Sequence, residues 1–180
     1  VMKTKVIIII ALVLCCSCTN KTAIENGELQ EAISQVWLDA DAAQVMLDVI
    51  DTNELNEYEM QRYRLAEAHL MLKRELRLPA GSDMEALAKY FEGSGDVASA
   101  SEAYYIQGAY LNYIGENTQA MQYLKKAESY PATSIIRGMT YYKMGRISES
   151  EQLYEIATEN YHKALPYLEE AGLPLYLASV

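Results

Sequence analysis

Past position 18 the chain has no cysteine; its three cysteines, Cys15, Cys16 and Cys18, fall in one short stretch. This excludes a disulfide framework in the body of the protein. A metal site lacks support as well, since the two histidines, His69 and His162, stand far apart and in no ligand spacing. Only four prolines interrupt the chain, so helices can run long. No stretch alternates apolar and polar residues over strand length between turn signals, which argues against a sheet. Basic side chains are outnumbered 15 to 25, for a net charge of −10, and such a surface repels phosphate backbones, so nucleic acid is not expected as a partner. No H-E-x-x-H, G-x-S-x-G, P-loop or paired-cysteine motif occurs. The G-x-G in "GSGD" (93–96) lies between two predicted helices, where a turn is the ordinary meaning and a phosphate cradle the rare one. These absences predict a protein that is not an enzyme and carries no cofactor or metal. The apolar run Val6 to Leu14 is short of the about 20 residues that span a bilayer.

That run follows Lys3 and Lys5 and ends in small residues before Cys18, the three-part layout of a secretory signal. An ordinary secretory signal and a retained cysteine cluster are the other readings. The stretch resembles a bacterial lipoprotein signal, in which cleavage precedes a cysteine linked to diacylglycerol. Ser17 supplies the small residue before the cut, although Cys15 stands where such signals usually carry Leu. The resemblance implies a signal peptide over 1–17, acylation at Cys18 and a flexible polar tether over 18–27. Acyl chains hold to a membrane through about 0.8 kcal/mol per buried CH₂. It further implies the bacterial cell envelope, with Glu25, the first acid after Cys18, leaning toward an outer-membrane anchor facing the periplasm. Losing residues 1–17 removes two lysines and no acid, so the charge moves from −10 to −12.

From Glu28 onward the pattern is helical, about nine helices of roughly ten to twenty residues with short turns. Three pairs predict helix starts: Asn56 with Glu59, Ser82 with Glu85, and Ser148 with Glu151, each a capping side chain three residues before a glutamate. Stops are predicted at Pro79 and Gly81, at "GSGD", and at Gly115 and Gly145.

An internal repeat is visible at an offset of thirty, where "YYIQGAYLNYIGENTQAMQYLKKA" (104–127) aligns with "SIIRGMTYYKMGRISESEQLYEIA" (134–157). Gly108 then matches Gly138, Gly115 matches Gly145, Gln122 matches Gln152, Ala127 matches Ala157 and Ile106 matches Ile136. A glycine within a helix costs about 1 kcal/mol relative to alanine, so its recurrence suggests a neighbouring helix too close for a side chain. Ala120 and Ala127, with Leu124 between them, supply the contacts of the second helix.

These residues resemble the tetratricopeptide repeat, W-x₂-L-G-x₂-Y…A-x₃-F…P. Tyr104 stands for the Trp, Gly108 for the Gly, Leu111 for the Tyr, Ala120 and Leu124 for the A-x₃-F pair, and Pro131 for the closing proline. The next unit keeps Gly138, Tyr141, Tyr154 and Ala157 but departs at Ser134, Arg137 and Ser150. Second-helix spacing recurs at Ala43, Leu47 and Ile50 and at Ala164, Leu168 and Ala171, where Pro166 fits a first helical turn. The layout is similar to tetratricopeptide-repeat lipoproteins of the Bacteroidota, shortened at "LPLYLASV". The resemblance implies an all-α, right-handed solenoid of antiparallel helical hairpins, with degenerate repeats over 28–100 and clearer ones, the last incomplete, over 101–180.

The function implied is a membrane-anchored adaptor for a protein or peptide. The alternatives are the sensor region of a longer signalling or transcription regulator, or a glycan-binding lipoprotein, the last weakened by a single Trp, Trp37. In tetratricopeptide repeats the stripe beside the packing residues faces the groove, here Tyr105, Ala109 and Asn112 and then Ile135, Met139 and Tyr142. Fifteen tyrosines against one phenylalanine suit a tyrosine-lined groove or a partly exposed core. His69 reads as a structural or exposed residue.

Overall fold

The computed structural model describes residues 26–75 and 77–173. The expected signal peptide, Cys18, all but the end of the expected tether and the closing "PLYLASV" lie outside them. The described residues form eight helices: α1 (Gly27–Leu38), α2 (Ala40–Asp48), α3 (Glu57–Glu75), α4 (Met84–Ser94), α5 (Val97–Tyr113), α6 (Asn117–Glu128), α7 (Ser134–Ser150) and α8 (Tyr154–Glu170).

Local chemistry sets most of the starts. The Asn26 side chain accepts from Glu28 N and Leu29 N, and Asp39 from Asp41 N and Ala42 N. Asn56 and Glu59 form a reciprocal box: Glu59 N donates to Asn56 Oδ1 at 2.9 Å and Asn56 N to Glu59 Oε2 at 2.9 Å. The other oxygen of Glu59 accepts from Asn26 N at 2.8 Å, so one buried carboxylate ties the start of α1 to that of α3. Two expected boxes are not there. Asp83, not Ser82, caps α4 through Ala86 N, which frees Glu85 for Tyr123 of α6. Ser148 is buried in the last turns of α7 and caps nothing.

Helices pack as neighbours within α1–α2, α5–α6 and α7–α8, and α2, α4 and α6 also pack on α3, α5 and α7. The odd-numbered helices touch in series, α1 with α3, α3 with α5 and α5 with α7. A smaller core lies under α1 and α2 (Leu29, Val36, Leu47), reached from α3 by Ala66 and Leu70. The larger core holds Phe91, Ile106, Leu124, Ile147 and Leu168, reached from α3 by Leu65 and Leu72. Each such side chain contributes about 1.5–3 kcal/mol by leaving water. Because α3, α5 and α7 have helices on several sides, they show almost no one-sided apolar stripe.

The hairpins recur at thirty-seven, not thirty. The turns show it: Glu116 N bonds Leu111 O and Gly115 N bonds Asn112 O, and thirty-seven residues on Leu153 N bonds Ser148 O and Gln152 N bonds Glu149 O. Gly115 and Gln152 share left-handed backbone, φ 88° and 61°. Tyr104 stacks with Tyr130, and Tyr141 with Tyr167. In this register "YYIQG" (104–108) matches "YYKMG" (141–145). Gly145 therefore does not end a helix. It lies within α7, where a β-carbon would come 2.5 Å from the Tyr161 ring. Ala157 and Ala164 belong to the single helix α8, the counterparts of Ala120 and Ala127, and the supposed downstream second helix is the end of α8. Pro166 consequently lies deep in that helix, not in a first turn. Its missing N–H is tolerated where Ala157, Asn160, Ala164 and Leu168 bury the helix along its length.

Candidate functional site: a cleft between the odd-numbered helices

A cleft of about 240 Å³ opens where α1, α3, α5 and α7 meet. Trp37 comes from α1, His69, Leu72 and Lys73 from α3, Tyr105, Ala109, Asn112 and Tyr113 from α5, and Met139, Tyr142 and Lys143 from α7. The volume is below that of a drug-sized pocket and suits one or two side chains.

Three rings form its floor. Trp37 meets His69 edge-on with centroids 4.4 Å apart, and Tyr105 lies 6.0 Å from Trp37 and 6.1 Å from His69. His69 is buried, and its Nδ1 sits 2.6 Å from Glu102 Oε1, which fixes the ring. Lys73 donates to Val36 O at 2.8 Å and Trp37 O at 2.7 Å, satisfying the carbonyls that end α1, with its ammonium 5.4 Å from the Trp37 ring centre. Burial pulls the Lys73 pKa down, with Asp39 opposing it. Lys143 is also pulled down, chiefly by burial, with Tyr142 opposing the shift and the neighbouring Arg146 adding to it. Arg146 donates to Tyr142 Oη at 3.2 Å and pairs with Glu149 at 3.5 Å. The result is an aromatic wall edged by cations, with no carboxylate among the described lining residues.

Of the residues expected to face a groove, Tyr105, Ala109, Asn112, Met139 and Tyr142 line this cleft together. Ile135 does not; it packs half-buried on the larger core. Among the packing set, a β-carbon on Gly108 would meet Leu124 at 2.8 Å, and one on Gly138 would meet Leu168 at 2.8 Å. Tyr104 donates to Glu92 at 2.8 Å, Tyr141 is half-buried against its partner ring, and Leu111, Ala120, Leu124, Ala127 and Ala157 are buried. Tyr154, expected to pack, is 64% exposed because it opens α8 instead of lying within it. Cys18 lies outside the described residues.

Sequence reading missed Trp37, Lys73 and Lys143 as cleft residues and gave His69 no site. A signal for His69 existed in the correct period: 69, 105 and 142 step by 36 and 37, as do 73, 109 and 146.

A wider cleft of about 560 Å³ separates α3 from α4 below the 77–83 loop, with exposed Arg64 and Asp83 and half-buried Glu67 at its edge and Tyr90 as the one aromatic ring among the described lining residues. Compared with family models, curated proteins and solved structures, the chain matches none.

Proposed function

We propose that this chain is a lipid-anchored, tetratricopeptide-like adaptor that holds a protein or peptide segment in the cleft of its odd-numbered helices. The observation carrying this reading is the repeated Tyr-Tyr-x-x-Gly of α5 and α7. Its first tyrosine, Tyr104 or Tyr141, packs the hairpin; its second, Tyr105 or Tyr142, lines the cleft. Buried aromatic area with a polar tip is the usual anchor for peptide recognition. The thirty-seven-residue register also strengthens the likeness to the repeat pattern, since Met144 then supplies the apolar residue before Gly145 and Ala164 repeats Ala127. The period exceeds the usual 34 by three. A right-handed solenoid is the arrangement such units adopt when stacked.

The anchor rests on the sequence of residues 1–18. A sugar-stacking platform gains little, because Lys73 sits over the Trp37 ring and His69 against it. Titration of a capped-peptide library against Trp37 fluorescence tests the adaptor reading. Saturable binding that Tyr105→Ala and Tyr142→Ala each weaken is expected; a library without one saturable ligand would remove it. Mass spectrometry of the mature protein from envelopes tests the anchor, which requires a diacylglyceryl group on Cys18.

A further inference from the structure

Lys143 is half-buried at the cleft, and no hydrogen bond or ion pair reaches it from the described residues. Burial acts most on it, the Tyr142 hydroxyl opposes that effect, and the neighbouring charged side chain is another cation, Arg146. A partly desolvated ammonium without a counter-charge is costly, and an incoming anion offsets that cost. The acids nearby are already engaged. Glu102 holds His69, Glu149 accepts from Tyr161 at 2.8 Å and pairs with Arg146, and Asp39 caps α2. The other lining cation, Lys73, is spent on the carbonyls of α1. Lys143 is thus the lining cation left without a hydrogen bond or ion pair among the described residues, beside an apolar wall of Tyr105, Met139 and Tyr142.

We infer that the cleft selects an acidic–apolar peptide segment, a side-chain carboxylate against Lys143 with an adjacent aliphatic or aromatic side chain on that wall. The inference deepens the adaptor reading and rests on it. The chain's net charge of −10 does not oppose it at physiological salt. Acids on distant faces are screened beyond about 8 Å, whereas a half-buried contact is screened far less.

The test uses capped peptides in pairs, each with Glu or Asp beside Leu or Phe and its Gln or Asn isostere, titrated calorimetrically against the folded protein. The acidic member is expected to bind about tenfold more tightly, the scale of one charge-assisted hydrogen bond. Lys143→Met should abolish that preference, while Lys143→Arg should keep most of it. Lys143→Met should not lower the melting temperature, since it removes a half-buried charge and keeps the stem. Acid and amide peptides that bind equally would overturn the selectivity and leave the adaptor reading standing. So would a preference that survives Lys143→Met. If 3-phenylpropionate binds as tightly as the peptides with the same Lys143 dependence, the site is one for small carboxylates and the peptide assignment falls. If no member of any pair binds, this inference falls, and the adaptor reading falls with it only when the wider capped-peptide library also yields no saturable ligand.

Discussion

In the α5–α6 hairpin Gly108 lies against fully buried Leu124, whereas in α7–α8 its counterpart Gly145 lies against the half-buried ring of Tyr161. The left-handed turn residue is Gly115 in the first hairpin and Gln152 in the second. Where α5 carries Ala103, α7 carries Thr140, a buried hydroxyl with no hydrogen-bond partner among the described residues. Both hairpins keep a tyrosine pair with a lysine against it, Lys126 at Tyr104 and Lys163 at Tyr141. Backbone plan and ring stacking are therefore shared, while the volume and polarity of the filling differ. Close helix approach needs a missing side chain on one helix, but several side chains on the other can use the gap.

The largest effect should come at Gly108 and should separate it from its counterpart Gly145. Gly108→Ala forces a β-carbon to 2.8 Å from Leu124 and 3.1 Å from the Ala120 carbonyl, neither of which has room to retreat. A loss of about 2 kcal/mol in urea unfolding is expected. In Gly145→Ala the Tyr161 ring can tilt outward, giving up its bond to Glu149, and the helix gains about 1 kcal/mol of propensity. The net change there should be near zero. Equal losses at both sites would break the comparison.

Thr140→Val should raise stability by about 1 kcal/mol, since it keeps the shape and removes an unpaired buried hydroxyl. A smaller rise of about 0.5 kcal/mol is expected for Gln152→Gly, which relieves left-handed backbone at a cost in unfolded-state entropy. Gly115→Gln should cost about 1 kcal/mol. Both are read from melting curves.

The smallest effect concerns acid. Glu92 accepts the hydroxyls of Tyr130 at 2.6 Å and Tyr104 at 2.8 Å, bonds that hold its carboxyl below the usual range. Glu85, held chiefly by the Tyr123 hydroxyl, is lowered to about 2. A depressed folded pKa stabilises above the unfolded value of 4.5, and that stability is lost as pH falls toward the folded value. Melting temperature should drop between about pH 5 and about pH 2, and Glu92→Gln should flatten that drop by about 1 °C, the group being near the surface. An unchanged slope in the variant would remove Glu92 from the acid response.

Helix content, most boundaries and one capping box were legible because propensity and caps act locally. The register was not. Gly108, Gly115, Gly138 and Gly145 are spaced so that an offset of thirty pairs all four, while thirty-seven pairs just two and sets Gly115 opposite Gln152. Pairing the glycines favours thirty because it assigns one role to every glycine, although over 104–127 thirty-seven matches six residues and thirty matches five. In fact Gly138 stands at the position of Ser101, whose hydroxyl bonds Ala127 O, and makes room for Leu168. The cleft was half legible. Stripes on α5 and α7 follow from helical spacing, but Trp37, His69 and Lys73 arrive through packing between helices far apart in sequence, which no local pattern encodes.

The most direct test of the series contact among odd-numbered helices uses the single tryptophan. In aromatic-protonated, otherwise deuterated protein, nuclear Overhauser contacts from the Trp37 indole to the rings of both His69 and Tyr105 are expected, since their centroids lie 4.4 and 6.0 Å away. An indole that shows contacts within α1 and α2 and none to α3 or α5 would contradict the packing that builds the cleft.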